Sequence, residues 1–88
     1  MTLQNVLDNI KMSNNIKRWP DEYRIYSPRG FSLVYCNKMG QVTSFLTNLD
    51  GAVYNLTDAE QKQLQSALEL RMQQLNIKSI YQAPQKQK

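Results

Sequence analysis

The side chains best suited to chemistry in this sequence are cations interleaved with aromatics. Lys11, Lys17, Arg18, Arg24 and Arg29 share the first third of the chain with Trp19, Tyr23 and Tyr26. Over the same stretch the acids are Asp8, Asp21 and Glu22. Such a mixture suits two tasks. Cations that pair with phosphates beside rings that stack on bases can hold single-stranded nucleic acid. Equally, Trp and Arg are favoured anchors of protein interfaces. A solvated basic edge, with Trp19 plugging one side of the core, is the plain alternative. The expected partner-binding residues are Lys17, Arg18, Trp19, Arg24, Tyr26 and Arg29.

Catalysis finds little to work with. The sequence has no histidine, which removes the commonest general base and the commonest metal ligand together. The seven carboxylates are scattered. Asp21 and Glu22 open a strand and would point to opposite faces, while Asp58 and Glu60 have a helix-capping role. Neither pair resembles a two-carboxylate hydrolytic site. No Gly-rich phosphate loop or calcium loop is present. Cys36 is the lone cysteine, so it forms no internal disulfide and supports no multi-thiolate zinc site. Its place in a strand predicts a small buried apolar residue. The expectation is a non-enzyme without cofactor or metal.

The elements that must position these residues are punctuated by the three glycines. Each closes a four-residue turn: Ser27-Pro28-Arg29-Gly30, Asn37-Lys38-Met39-Gly40 and Asn48-Leu49-Asp50-Gly51. Between them lie short runs rich in Tyr, Val, Ile, Phe and Thr, which predict strands over 22–27, 31–37, 41–47 and 52–55. Alternation sets Tyr23 and Ile25 against Arg24 and Tyr26, and Phe31, Leu33 and Tyr35 against Ser32, Val34 and Cys36. It also sets Val42, Ser44 and Leu46 against Thr43, Phe45 and Thr47. The middle two strands are apolar on both faces and read as central, so the first and last read as edges.

Helices flank the strands. Leu3, Val6, Leu7 and Ile10 make one stripe over 3–12, with Thr2 as N-cap. Thr57-Asp58-Ala59-Glu60 is a capping box opening a second helix. Its stripe is Leu64, Ala67, Leu68, Met72 and Leu75, with Arg71 within its angular range, Leu70 off it and Asn76 as the stop. Residues 16–21 read as a loop, because Pro20 pushes Trp19 out of helical geometry. The predicted class is α+β: a short N-terminal helix, a four-stranded antiparallel meander, and a longer C-terminal helix packed on the sheet. One sheet face can be covered by helices. The other still shows Tyr, Phe, Val and Thr, where a partner or a second copy would bind. The domain is expected to span 1–81, with Ile77, Ile80 and Tyr81 running back along the sheet or extending the core, and 82–88 as a polar tail.

At 88 residues, 41% apolar and 20% charged, the chain is sized for one small globular domain. Its net charge is +4, and Lys86 and Lys88 of the tail contribute two of those charges. That is too mild to imply nucleic acid by itself. The first residues show no basic region followed by an apolar run, and no stretch approaches the roughly 20 apolar residues of a membrane span. The expected location is cytoplasmic, with no membrane insertion.

Two segments carry a resemblance: Tyr26-Ser-Pro-Arg-Gly-Phe-Ser-Leu-Val-Tyr35 and Thr43-Ser-Phe-Leu-Thr-Asn-Leu-Asp-Gly51. With the abundance of Asn, Gln, Lys and Tyr, they give the chain the look of small cytoplasmic accessory proteins of T-even-type tailed bacteriophages. That likeness implies a stoichiometric binder in the host cytoplasm, directed at a host polymerase or defence enzyme, a toxin, or the phage's own holin during lysis inhibition. It carries over no functional residue. The expected function is therefore a non-enzymatic regulatory protein that binds and inhibits or modulates another protein. One alternative is an RNA- or DNA-binding regulator using the basic aromatic segment 11–29. Another is a homo-oligomer, such as a homodimer, that sequesters a small ligand.

Overall fold

The computed structural model describes residues 1–48 and 50–76. Its elements in chain order are α1 (Leu3–Met12), β1 (Asn15–Arg18), β2 (Glu22–Ser27), β3 (Gly30–Cys36), β4 (Val42–Leu46), β5 (Val53–Asn55) and α2 (Asp58–Gln74). The strands form one antiparallel sheet in the order β1-β2-β3-β4-β5. This is the expected α+β arrangement with one more strand. The segments 77–81, expected to run back along the sheet or extend the core, and 82–88, expected to form a tail, lie outside the described residues.

The added strand corrects the reading of 16–21 as a loop. Asn15 to Arg18 pair with β2, Asn15 opposite Tyr26 and Lys17 opposite Arg24. Four residues are too few for a periodic signal. Pairing with β2 lets Ile16 reach the core at 1% exposure. The Trp19 amide then donates to the Glu22 carbonyl at 2.9 Å, and Pro20 follows with no amide to give. Residues 22–27 are consequently an interior strand rather than the expected edge.

Helix signals in the sequence translate directly. The Thr2 hydroxyl accepts from the Asn5 amide, and the Thr57 hydroxyl accepts from the Glu60 amide, so both helices open on capping boxes. Asn76, just past α2, has φ +64°, the left-handed conformation that Asn tolerates. Leu70 is exposed on α2, as its position off the stripe predicts.

Both helices pack on one face of the sheet. α1 lies against β2 and β3, α2 against β4, and the helices touch each other. Between these layers lie Val6, Leu7 and Ile10 of α1, Ile16, Tyr23, Ile25, Val34, Val42 and Phe45 of the sheet, and Leu64, Leu68 and Met72 of α2. A bulge breaks the expected alternation in β4. Tyr35 pairs with Ser44 but Cys36 with Val42, leaving Thr43 as an extra residue. Val42 and Phe45 thereby both enter the core, at 1% exposure each. Among the described residues, no helix is long and apolar enough to cross a membrane.

β3 divides its side chains unusually. Ser32, Val34 and Cys36 face the helices, while the larger Phe31, Leu33 and Tyr35 face away. The small Ser32 suits its place: its hydroxyl accepts from the buried Asn9 amide of α1 at 2.7 Å, satisfying a polar group inside the layer.

Candidate functional site

The sheet face turned away from the helices gathers most of the chemistry singled out in the sequence. Across the strands, Lys17 stands opposite Arg24 and Arg24 opposite Leu33. Leu33 and Leu46 line a common groove, and Leu46 stands opposite Val53. One row of side chains thus crosses all five strands as two cations followed by three aliphatics. At about 4.8 Å between strands it is roughly 19 Å long. A second row places Tyr26 opposite Phe31, with ring centroids 5.2 Å apart.

The cations are tied to rings. The Lys17 ammonium lies 5.8 Å from the Tyr26 ring centroid, and the Arg24 guanidinium lies 4.4 Å from that of Trp19. Arg24 Nε also donates to the Glu22 carboxylate at 2.5 Å. That bond pushes the guanidinium pKa above its already high ordinary value, so Arg24 is fully charged. The apolar end holds a groove of about 390 Å³ lined by Phe31, Leu33, Leu46 and Thr47 together with Met1, Asn5 and Asn48. Phe31 is 44% exposed and Val53 45%, which is high for large apolar side chains.

Of the expected site residues, Lys17, Arg24 and Tyr26 share this face and Trp19 forms its rim. Arg18 does not join them. Once 15–18 is a strand, Arg18 alternates with Lys17 and follows Ile16 to the helix side. It is 6% exposed, stacked over the Tyr23 ring at 5.1 Å, with Nη1 donating to the Trp19 carbonyl. Among the described residues no carboxylate pairs with it, and its buried Nε has no acceptor. Arg29 is exposed in the β2–β3 turn, at the end of β2 remote from Trp19. Leu33, Leu46 and Val53 were not among the expected contact residues. Their signal was present in strands that are apolar on both faces.

Reactive groups lie elsewhere and are muted. The Tyr23 hydroxyl donates to the Gly40 carbonyl at 3.1 Å; burial raises its pKa and the neighbouring Arg18 opposes that rise. Burial likewise pushes the Cys36 thiol up, against the lowering effect of Arg18, which leaves it a poor nucleophile. A groove of about 370 Å³ beside the first turns of α2 is lined by Gln41, Val42, Asp58, Gln61, Lys62, Gln65 and Ser66. Ser66 has a place in it without a carboxylate or amine, among the described residues, hydrogen-bonded to its hydroxyl. Among the described residues, no three His, Cys, Asp or Glu side chains gather as metal ligands. What the uncovered face offers is contact: apolar area, rings and two oriented cations. No protein-family model matches this sequence, and neither the curated proteins nor the solved structures contain a significant match to it.

Proposed function

We propose that this chain is a non-enzymatic regulatory protein that inhibits or modulates another protein by binding it on the uncovered sheet face. The observation that supports the reading most is the orientation of β3, which turns Phe31, Leu33 and Tyr35 away from the helices and keeps the smaller set inside. A sheet stabilised only by its own helices would bury the larger set, because burial scales with apolar area. The likeness to phage accessory proteins agrees with a stoichiometric binder.

Nucleic acid fits the same face less well. Base stacking uses bare rings, and on this face Tyr26 and Trp19 already carry Lys17 and Arg24, which leaves Phe31 and Tyr35. Leu33, Leu46 and Val53 offer nothing to a phosphate chain. Immobilised protein incubated with lysate of the producing cell, with and without nuclease, tests the choice. Near-stoichiometric recovery of one protein in both halves is expected, with loss in a Leu33→Ser/Leu46→Ser variant that still folds. Recovery abolished by nuclease would replace the reading with a nucleic-acid one.

A further inference from the structure

The row Lys17, Arg24, Leu33, Leu46, Val53 also specifies what its partner looks like. This step rests on the reading of the uncovered face as a protein interface. The charge on the row is not spread evenly: both cations sit on β1 and β2, and the three aliphatics on β3, β4 and β5. Among the described residues, the acid that the strands place on this face is Glu22, opposite Tyr35, and it is bonded to Arg24. We infer that the partner is an acidic protein surface, with carboxylates set beside aliphatic anchors rather than among them. The anchors fill the groove that Phe31, Leu33 and Leu46 share with Met1 and Asn5 at the start of α1, and the carboxylates meet Lys17 and Arg24. Two and three strand spacings separate Leu46 from Arg24 and Lys17, so carboxylates and anchors stand roughly 10–14 Å apart.

Other occupants match this row poorly. A second copy of the chain brings no surplus of carboxylates, since among its described residues the strands of this face offer the engaged Glu22, and the chain carries +4 overall. A phosphate chain would satisfy the cations and leave the aliphatic part of the row in water. An acidic surface with aliphatic anchors satisfies both parts, and its charge also steers the encounter.

Two designed 18-residue peptides provide the probe. Each has a Leu-rich end, and the other end carries Glu in one peptide and Lys in the second. A fluorescent thymidine 18-mer is the third ligand. Fluorescence anisotropy is expected to show the Glu peptide binding about tenfold tighter than the Lys peptide. The Lys17→Glu/Arg24→Glu variant should reverse that order while keeping the wild-type melting temperature. Equal binding of both peptides, abolished by Leu33→Ser/Leu46→Ser, would overturn the acidic inference and leave the protein-interface reading standing. Binding of neither peptide, or preference for the oligonucleotide, would overturn both.

Discussion

Arg71 of α2 donates through both Nε and Nη2 to the carbonyl oxygen of Ser13, at 3.0 and 2.6 Å. Ser13 is the C-cap of α1 and is fully buried. The fork satisfies a carbonyl at a helix end and ties the two helices together before β1 begins. Arg71→Met should therefore lower the unfolding free energy by about 1.5–3 kcal/mol in urea titration, the range for hydrogen bonds to charged groups. Arg71→Lys should recover only part, because an ammonium lacks the planar fork.

Gly40 and Gly51 share a backbone conformation but not an environment. Their φ angles are +85° and +90°. A Cβ on Gly40 would lie 2.8 Å from Arg18 Nη2, whereas one on Gly51 would meet nothing within 4 Å. Both alanine variants carry the left-handed penalty of about 1–2 kcal/mol. Gly40→Ala should be worse by roughly a further 1 kcal/mol, since the stacked guanidinium must shift. In an Arg18→Ala background that excess should vanish; its persistence would place the strain elsewhere.

Arg18 itself is a buried cation without a carboxylate partner among the described residues. Exchanging such a group for an apolar one of similar length is commonly neutral or stabilising. Arg18→Met should leave thermal and urea stability equal to wild type or above it. A loss greater than about 2 kcal/mol would show that the stack on Tyr23 and the bond to the Trp19 carbonyl outweigh the desolvation of the charge.

Glu60 links pH to the start of α2. Its carboxyl is held below the usual range, first by the Thr57 backbone N–H and then by the Tyr54 hydroxyl. The folded value lies below the unfolded one, so its contribution is present above the ordinary Glu range near pH ~4.3 and is lost as pH falls through the folded value. Tyr54 is shifted the opposite way, upward by the same Glu60 carboxylate. Its contribution is present below its ordinary value of 10.0 and is lost as pH rises through the folded one. Melting temperatures for wild type and Glu60→Gln should converge on acidification, and Tyr54→Phe should flatten the alkaline limb.

Trp19 is the sole tryptophan and stands at the rim of the uncovered face under Arg24. Its fluorescence should shift when a partner docks there. Trp19→Ala should weaken partner binding by about 2 kcal/mol, the magnitude of an interface anchor. Should the variant instead melt earlier and bind unchanged, Trp19 is a packing residue and the interface is confined to the groove.

The local elements were legible because their causes are local. Thr2 and Thr57 cap helices through residues three positions on, and the apolar stripes of both helices follow from 3.6-residue periodicity. Asn37 and its turn glycine work within five residues, with Asn37 Oδ1 accepting from the Met39 and Gln41 amides. The class and the meander order followed from such signals.

Tertiary structure decided the rest. β1 is a strand because β2 offers an unpaired edge, and that pairing alone sends Arg18 inward and Lys17 outward. The bulge at Thr43 places Val42 and Phe45 on one face, against the two-residue period, because the Phe45 ring and the Val42 side chain both find room under the helices. Strands apolar on both faces do not say which face the helices take. α1 chose the side with Ser32, where Asn9 finds its hydrogen bond, and so left Phe31 exposed and Leu33 and Leu46 half-buried on the other face. The row that brings two cations and three aliphatics together joins residues from 17 to 53, and only strand register sets such distant positions side by side.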